Sequence, residues 1–168
     1  FYSFEYNRAI DDFRRTIRMI EDEESDHERY RYIGMSHFYL SNFDSCNFYL
    51  KKSDEFFAND YRKRLAILPY LVISYIKTGD NTLSNTALKN FRDIISDYDP
   101  PDKDYIITNW AAYKALSAVN EKSEAAEYLE NAYFMLKSKS KDIKNKQDRK
   151  KYLSAKLHEN IMNEWSKR

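Results

Sequence analysis

The sequence has little that breaks a helix: two glycines and three prolines in 168 residues. No Asn-Gly or Asp-Gly pair separates alternating apolar stretches, so nothing in it reads as a β-hairpin or a sheet. A single cysteine, Cys46, excludes an intramolecular disulfide. No apolar run approaches the ~20 residues of a membrane span, and no signal peptide or lipidation motif is visible. A net charge of +1 gives no overall attraction to nucleic acid or membrane. Also missing are a glycine-rich phosphate loop, a G-x-S-x-G elbow and carboxylates paired as in a cleft. The reading is therefore of a protein that is not an enzyme and needs no cofactor.

Metal binding is disfavoured on the same grounds. The three histidines, His27, His37 and His158, are scattered, and Met162 stands where a zinc helix beginning at His158-Glu159 needs its second histidine. The acidic run 21–28 lacks the alternating Asp/Asn and Gly pattern of a calcium loop. It reads as the start of a helix, with Ser25 and Glu28 as a capping box and acidic side chains complementing the helix dipole.

What is present is a repeated spacing. A small residue and a large apolar one lie four apart as Ala9/Phe13, Cys46/Leu50, Ala87/Phe91 and Ala125/Leu129, in steps of 37, 41 and 38 residues. Residues four apart share one helix face, where the small side chain lets a neighbouring helix approach and the large one fills the groove beside it. Self-similarity at this period is the signature of stacked helix–turn–helix units. In this frame Cys46 is a small packing residue rather than a nucleophile. Fifteen tyrosines, ten phenylalanines and two tryptophans supply much of the area to be buried.

Around these pairs the chain resembles the tetratricopeptide repeat. The second copy reads Tyr30, Ile33, Gly34 and His37 in its first helix, then Cys46, Leu50 and Ser53. The third reads Leu68, Leu71, Val72 and Tyr75, a turn at Gly79-Asp80 lengthened by about three residues, then Ala87, Phe91 and Ile94, with Pro100 beyond. The fourth has Asn109, Ala112, Tyr113 and Leu116, a turn at Asn120, then Ala125, Leu129 and Ala132. Only the second helix of the first copy is present, as Tyr6, Ala9, Phe13 and Thr16. The resemblance implies an all-α, right-handed solenoid of stacked antiparallel helix pairs. It gives one domain of about eight helices: a half-repeat at 1–24, repeats at 27–60, 65–100 and 106–139, and a capping helix at 146–165. Expected helices lie near 4–21, 26–41, 44–58, 61–78, 84–97, 102–119, 122–137 and 146–165. Pro69 should kink the fourth or mark its first turn, and Asp102 should cap the sixth. Because the chain starts without Met in mid-repeat, it reads as a piece of a longer protein.

The function implied by the resemblance is protein–protein interaction. First helices of such repeats line a concave groove that holds a peptide or partner helix, and the pattern carries over to Arg31, Met35, Phe38 and Tyr39, with Glu28 at one end. Pro69, Ile73 and Ile76 follow from the third copy, and Ile107, Trp110 and Lys114 from the fourth. Of the clamp that grips a C-terminal carboxylate in the chaperone-binding subclass only Arg31 matches; Met35, Tyr70, Ile107 and Ala111 occupy the other places. An alternative role is structural, packing on a second copy or an upstream domain.

A second alternative is RNA binding. Residues 1–136 carry 17 basic and 23 acidic side chains, whereas 137–168 carry 11 and 4. The stretch 137–151 reads as an exposed basic loop running into a helix, but no aromatic interrupts it before Tyr152, so nucleic acid is disfavoured as a partner. Beyond it Leu153, Leu157, Ile161 and Trp165 form one apolar face for the cap. Without a disulfide or a targeting signal, a cytoplasmic location is favoured.

Overall fold

The computed structural model describes residues 2–19, 22–98 and 102–168 and is all-helical, with no strand among them. Among the described residues nine helices follow one another: α1 Tyr2–Met19, α2 Glu23–Tyr39, α3 Phe43–Phe56, α4 Tyr61–Thr78, α5 Asn81–Asp97, α6 Asp102–Ala118, α7 Lys122–Asp142, α8 Lys146–Leu153 and α9 Lys156–Trp165. They form two compact units, residues 1–98 and 99–168. In the first, each helix packs on the next, α1 to α5; in the second, α6 packs on α7, and α8 and α9 both return to α7.

Three of the turns use one device. Ser41, Gly79 and Asn120 have φ of 60°, 82° and 64°, the left-handed conformation that ends a helix. The amide of the next residue, at Asn42, Asp80 and Glu121, then bonds back to the carbonyl of His37, Tyr75 and Leu116 at 2.8–2.9 Å. Sequence reasoning found the turns at Gly79 and Asn120 but not the one at Ser41. At Asp80 the carboxylate also accepts from the Leu83 amide at 2.9 Å, so α5 starts at Asn81 rather than near 84. The additional residues of the third copy therefore lengthen a helix and not its turn.

Three of the four small/large pairs are buried: Cys46 and Leu50, Ala87 and Phe91, Ala125 and Leu129. In the first pair Ala9 and Phe13 are half-buried, and Ile10 beside them is buried. Gly34 marks the closest helix contact. A Cβ there would lie 2.6 Å from Leu50 Cδ2 and 3.1 Å from the Leu50 amide nitrogen, so α2 and α3 meet where only glycine fits. Burial pushes the Cys46 thiol up to about 11, the behaviour of an inert packing residue.

Helix α4 passes between α3 and α5 and is apolar on a wide face, burying Leu65, Leu68, Leu71, Val72 and Tyr75. Pro69 lies in its interior, not its first turn, and the helix runs on past it. Its ring leaves the Leu65 carbonyl without the usual amide partner. Hydroxyls join the neighbouring helices: Ser74 donates to the Phe43 carbonyl at 3.2 Å and Ser84 to the Val72 carbonyl at 3.1 Å. Arg64 on α4 pairs with Asp54 on α3 at 2.9 Å, both largely shielded.

The second unit is built on Ile106, Leu129, Ala132, Leu136 and Ile161, with Trp110, Tyr113, Tyr133, Leu153, Leu157 and Trp165 packed around them. Two expectations change here. Helix α7 continues to Asp142, because residues 137–142 contain no breaker and Ser140 is buried, its hydroxyl satisfied by the Lys137 carbonyl. The expected loop shrinks to residues 143–145. The single cap helix is two helices broken at Ser154-Ala155, where Ala155 is extended and the Tyr152 carbonyl is taken by the Ala155 amide and the His158 ring. The break lets Leu153 and the Leu157, Ile161, Trp165 stripe all reach the same core.

Helix α2 begins at Glu23 with Asp22 at its N-cap, so Ser25 lies in the first turn and its hydroxyl donates to the Asp22 carboxylate instead of heading a capping box with Glu28. Helix α6 begins at Asp102 itself. Glu21 and the pair Pro100-Pro101 lie outside the described residues.

His37 gives the first unit a dependence on pH. The ring is 8% exposed, stacks on Tyr49 at 5.7 Å between centroids, and neither nitrogen has a hydrogen-bond partner among the described residues. Burial, with the Arg14 charge adding to it, holds the imidazole below its ordinary 6.5. The unfolded chain therefore binds more protons than the native one once the pH falls below 6.5. Stability from this group is intact above that value and is lost as the pH falls from it toward the native pKa. Urea midpoints should be level above about pH 7 and decline below 6.5, and His37→Phe should flatten the decline. An unchanged decline in that variant would assign the effect to another group.

Candidate functional site

The residues expected to line a groove fall in both units. In the first, α2 carries Arg31, Met35, Phe38 and Tyr39, and α4 carries Tyr70 and Ile73. Positions 31, 35, 38 and 39 share one face of α2 by their spacing of three and four. Phe38 stands edge-on to Tyr70 at 5.0 Å and to Tyr39 at 5.7 Å. Tyr39 is 51% exposed, stacks on Tyr6 of α1 at 5.0 Å, and its hydroxyl meets that of Tyr70 at 3.2 Å. Burial, reinforced by Tyr39, pushes the Tyr70 phenol well above its ordinary value, so Tyr70 presents a neutral hydroxyl. Ile73 and Ile76 are half-buried on α4, and Pro69 is buried.

At the other end of this face the cations are already matched. Arg31 Nε donates to Glu28 at 2.9 Å, its guanidinium lies 4.2 Å from the Tyr32 ring centre, and its Nη1 is 3.8 Å from the Met35 sulfur. Lys63 reaches Glu24 at 3.0 Å and Glu28 at 3.3 Å. Burial alone would raise the Glu28 carboxyl, but Arg31 and Lys63 outweigh it and hold the group below its ordinary range. With its charge taken by Glu28, Arg31 is poorly placed to clamp a free carboxylate. Phe13, Asp22, Ser25, Glu28, Tyr32 and Lys63 border a cavity of about 410 Å³ beside this network.

In the second unit Trp110 packs against the core and lies 5.3 Å from Tyr113, whose hydroxyl donates to Glu164 at 3.0 Å. Lys114 is exposed, its Nζ 5.8 Å from the Trp110 ring centre. Ile107 is exposed as well. Trp110 is thus a half-buried support for α9 as much as a surface group.

Sequence reasoning missed Tyr6 as a member of the first-unit cluster. By register it is a consensus position of the half-repeat, and nothing in the order of residues says that its ring lies flat on Tyr39, 33 positions on. It treated Tyr70 only as a missing clamp residue. No group of three or more His, Cys, Asp or Glu among the described residues is arranged to hold a metal. No described helix is long and apolar enough to cross a membrane. Compared with protein-family models, curated proteins and solved structures, the chain finds no match.

Proposed function

We propose that the chain is a tetratricopeptide-like interaction module that holds a peptide or partner helix on the α2–α4 face of its first unit. The observation that carries this reading is the aromatic cluster Tyr6, Phe38, Tyr39 and Tyr70, which leaves Tyr39 half in solvent with its hydroxyl on that of Tyr70. Exposed aromatic rings held rigidly by their neighbours are the usual anchors of binding surfaces. The repeat reading is supported by the left-handed turns at Ser41, Gly79 and Asn120, spaced 38 and 41 residues, and by the buried small/large pairs. A right-handed stacking of the pairs completes this reading.

The partner's chemistry follows from the face. Its cations are internally paired, so a segment with aromatic or aliphatic side chains and hydroxyl-matching polar groups suits it better than a carboxylate terminus. Peptides selected from a display library on the 168-residue chain should be rich in apolar anchors. Tyr39→Ala and Met35→Ala should weaken them about tenfold or more, a loss typical of anchor residues, while the melting temperature stays within a few degrees. Selected peptides that bind both variants as tightly as the parent would place the surface elsewhere.

A further inference from the structure

We propose a second, independent surface: the α7–α8 corner of the second unit binds single-stranded nucleic acid. Residues 137–156 hold nine Lys or Arg and only Asp142 and Asp148. Lys141, Lys144, Lys146, Lys150, Lys151 and Lys156 are exposed, and among the described residues none of these six pairs with a carboxylate. Elsewhere Lys51, Lys63, Lys89 and Lys167 each meet one. The corner is built, not loose. Arg149 places Nε and Nη2 on the Ile143 carbonyl at 3.0 and 2.7 Å, and Asn145 caps α8 by accepting from the amides of Gln147 and Asp148. These bonds fix the bend between the end of α7 and α8, along which Lys141, Lys144, Lys146, Lys150 and Lys151 stand at a spacing that can follow a phosphate backbone.

The stacking platform absent from the order of residues is supplied by the fold. Phe134 is 55% exposed, and Lys137 and Lys141 stand three and seven positions on along the same face of α7. Trp165 from α9 lies edge-on to Phe134 at 5.6 Å and flat on Tyr133 at 4.6 Å, and the Arg168 guanidinium sits 4.8 Å from the Trp165 ring centre. Arg168 is held there by Glu130 at 4.0 Å, so the cations open to phosphate beside the exposed ring are Lys137 and Lys141; rings for bases and cations for phosphates are how single strands are held. An anionic membrane fits less well. The apolar residues of the α8 region, Tyr152 and Leu153, face the core, which leaves no apolar side to insert.

The test is fluorescence anisotropy of the 168-residue chain with a labelled oligo(U) strand, a duplex of equal length, heparin and an acidic peptide. Single-strand binding is expected to fall about a hundredfold between 50 and 200 mM salt if about five phosphates are neutralised. Lys144→Glu with Lys150→Glu should abolish it. Phe134→Ala should weaken the single strand about tenfold and leave heparin unchanged, because only bases stack. All three positions are exposed, and circular dichroism verifies that the variants fold. Absence of binding at 50 mM salt would overturn the proposal. So would a preference for the acidic peptide, or a Phe134→Ala variant that binds every polyanion as the parent does.

Discussion

Gly34→Leu is expected to destabilise the first unit by about 3 kcal/mol or more, the upper end of what overpacking costs. The first added atom already collides: a Cβ at position 34 would lie 2.6 and 2.7 Å from the Leu50 side chain and 3.1 Å from its backbone nitrogen. Leu50 has little room to yield, since it is fully buried. Relief therefore requires α2 and α3 to separate. The better helix propensity of leucine returns only about 1 kcal/mol. Urea unfolding followed by far-ultraviolet circular dichroism measures the loss. Gly34→Ala, with the same collision but less bulk, should fall between parent and leucine variant, and equal midpoints for all three would refute the α2–α3 contact.

Ile161→Ala should cost the second unit about 2–5 kcal/mol, the range for truncating a buried aliphatic side chain. Ile161 is the only fully buried residue of α9 and sits among Ile106, Leu129, Ala132 and Leu136. Its removal opens a cavity under the helix that also positions Trp165 on Tyr133 and Glu164 on Tyr113. Both tryptophans of the chain, Trp110 and Trp165, lie in this unit and pack on the same core, so their fluorescence reports the transition directly. A variant as stable as the parent would mean that α9 only rests on α7.

Much of the architecture is legible in the order of residues because it is set by near neighbours. The small/large pairs locate α3, α5 and α7, and Gly79-Asp80 locates a turn, since both signals act within a few residues. Where the reading failed, the deciding contact was distant or the competing signals were local and equal. Helix α7 outran its expected end because burial of Leu136 and Ser140 outweighed a polar, lysine-rich sequence. The stripe Leu153, Leu157, Ile161 and Trp165 has perfect helical spacing, yet the chain breaks inside it. Periodicity cannot see that His158 will claim the Tyr152 carbonyl. Of the first-unit face, Arg31, Met35, Phe38 and Tyr39 are readable from repeat register. Tyr6 is not, because its place on Tyr39 depends on how α1 meets α2; the Arg31–Glu28 pair, by contrast, lies within α2 at a spacing of three and was there to be read.

In the first unit every helix rests chiefly on the one before and the one after it in the chain. Chain closure for such contacts spans a few tens of residues at most, so each hairpin can form without waiting for distant segments, and collapse should be fast for a unit of this size. The same locality limits how far a defect travels. Damage at the α4–α5 seam reaches α1 only by way of the intervening helices α2 and α3, which allows one end of the unit to open while the other keeps its packing.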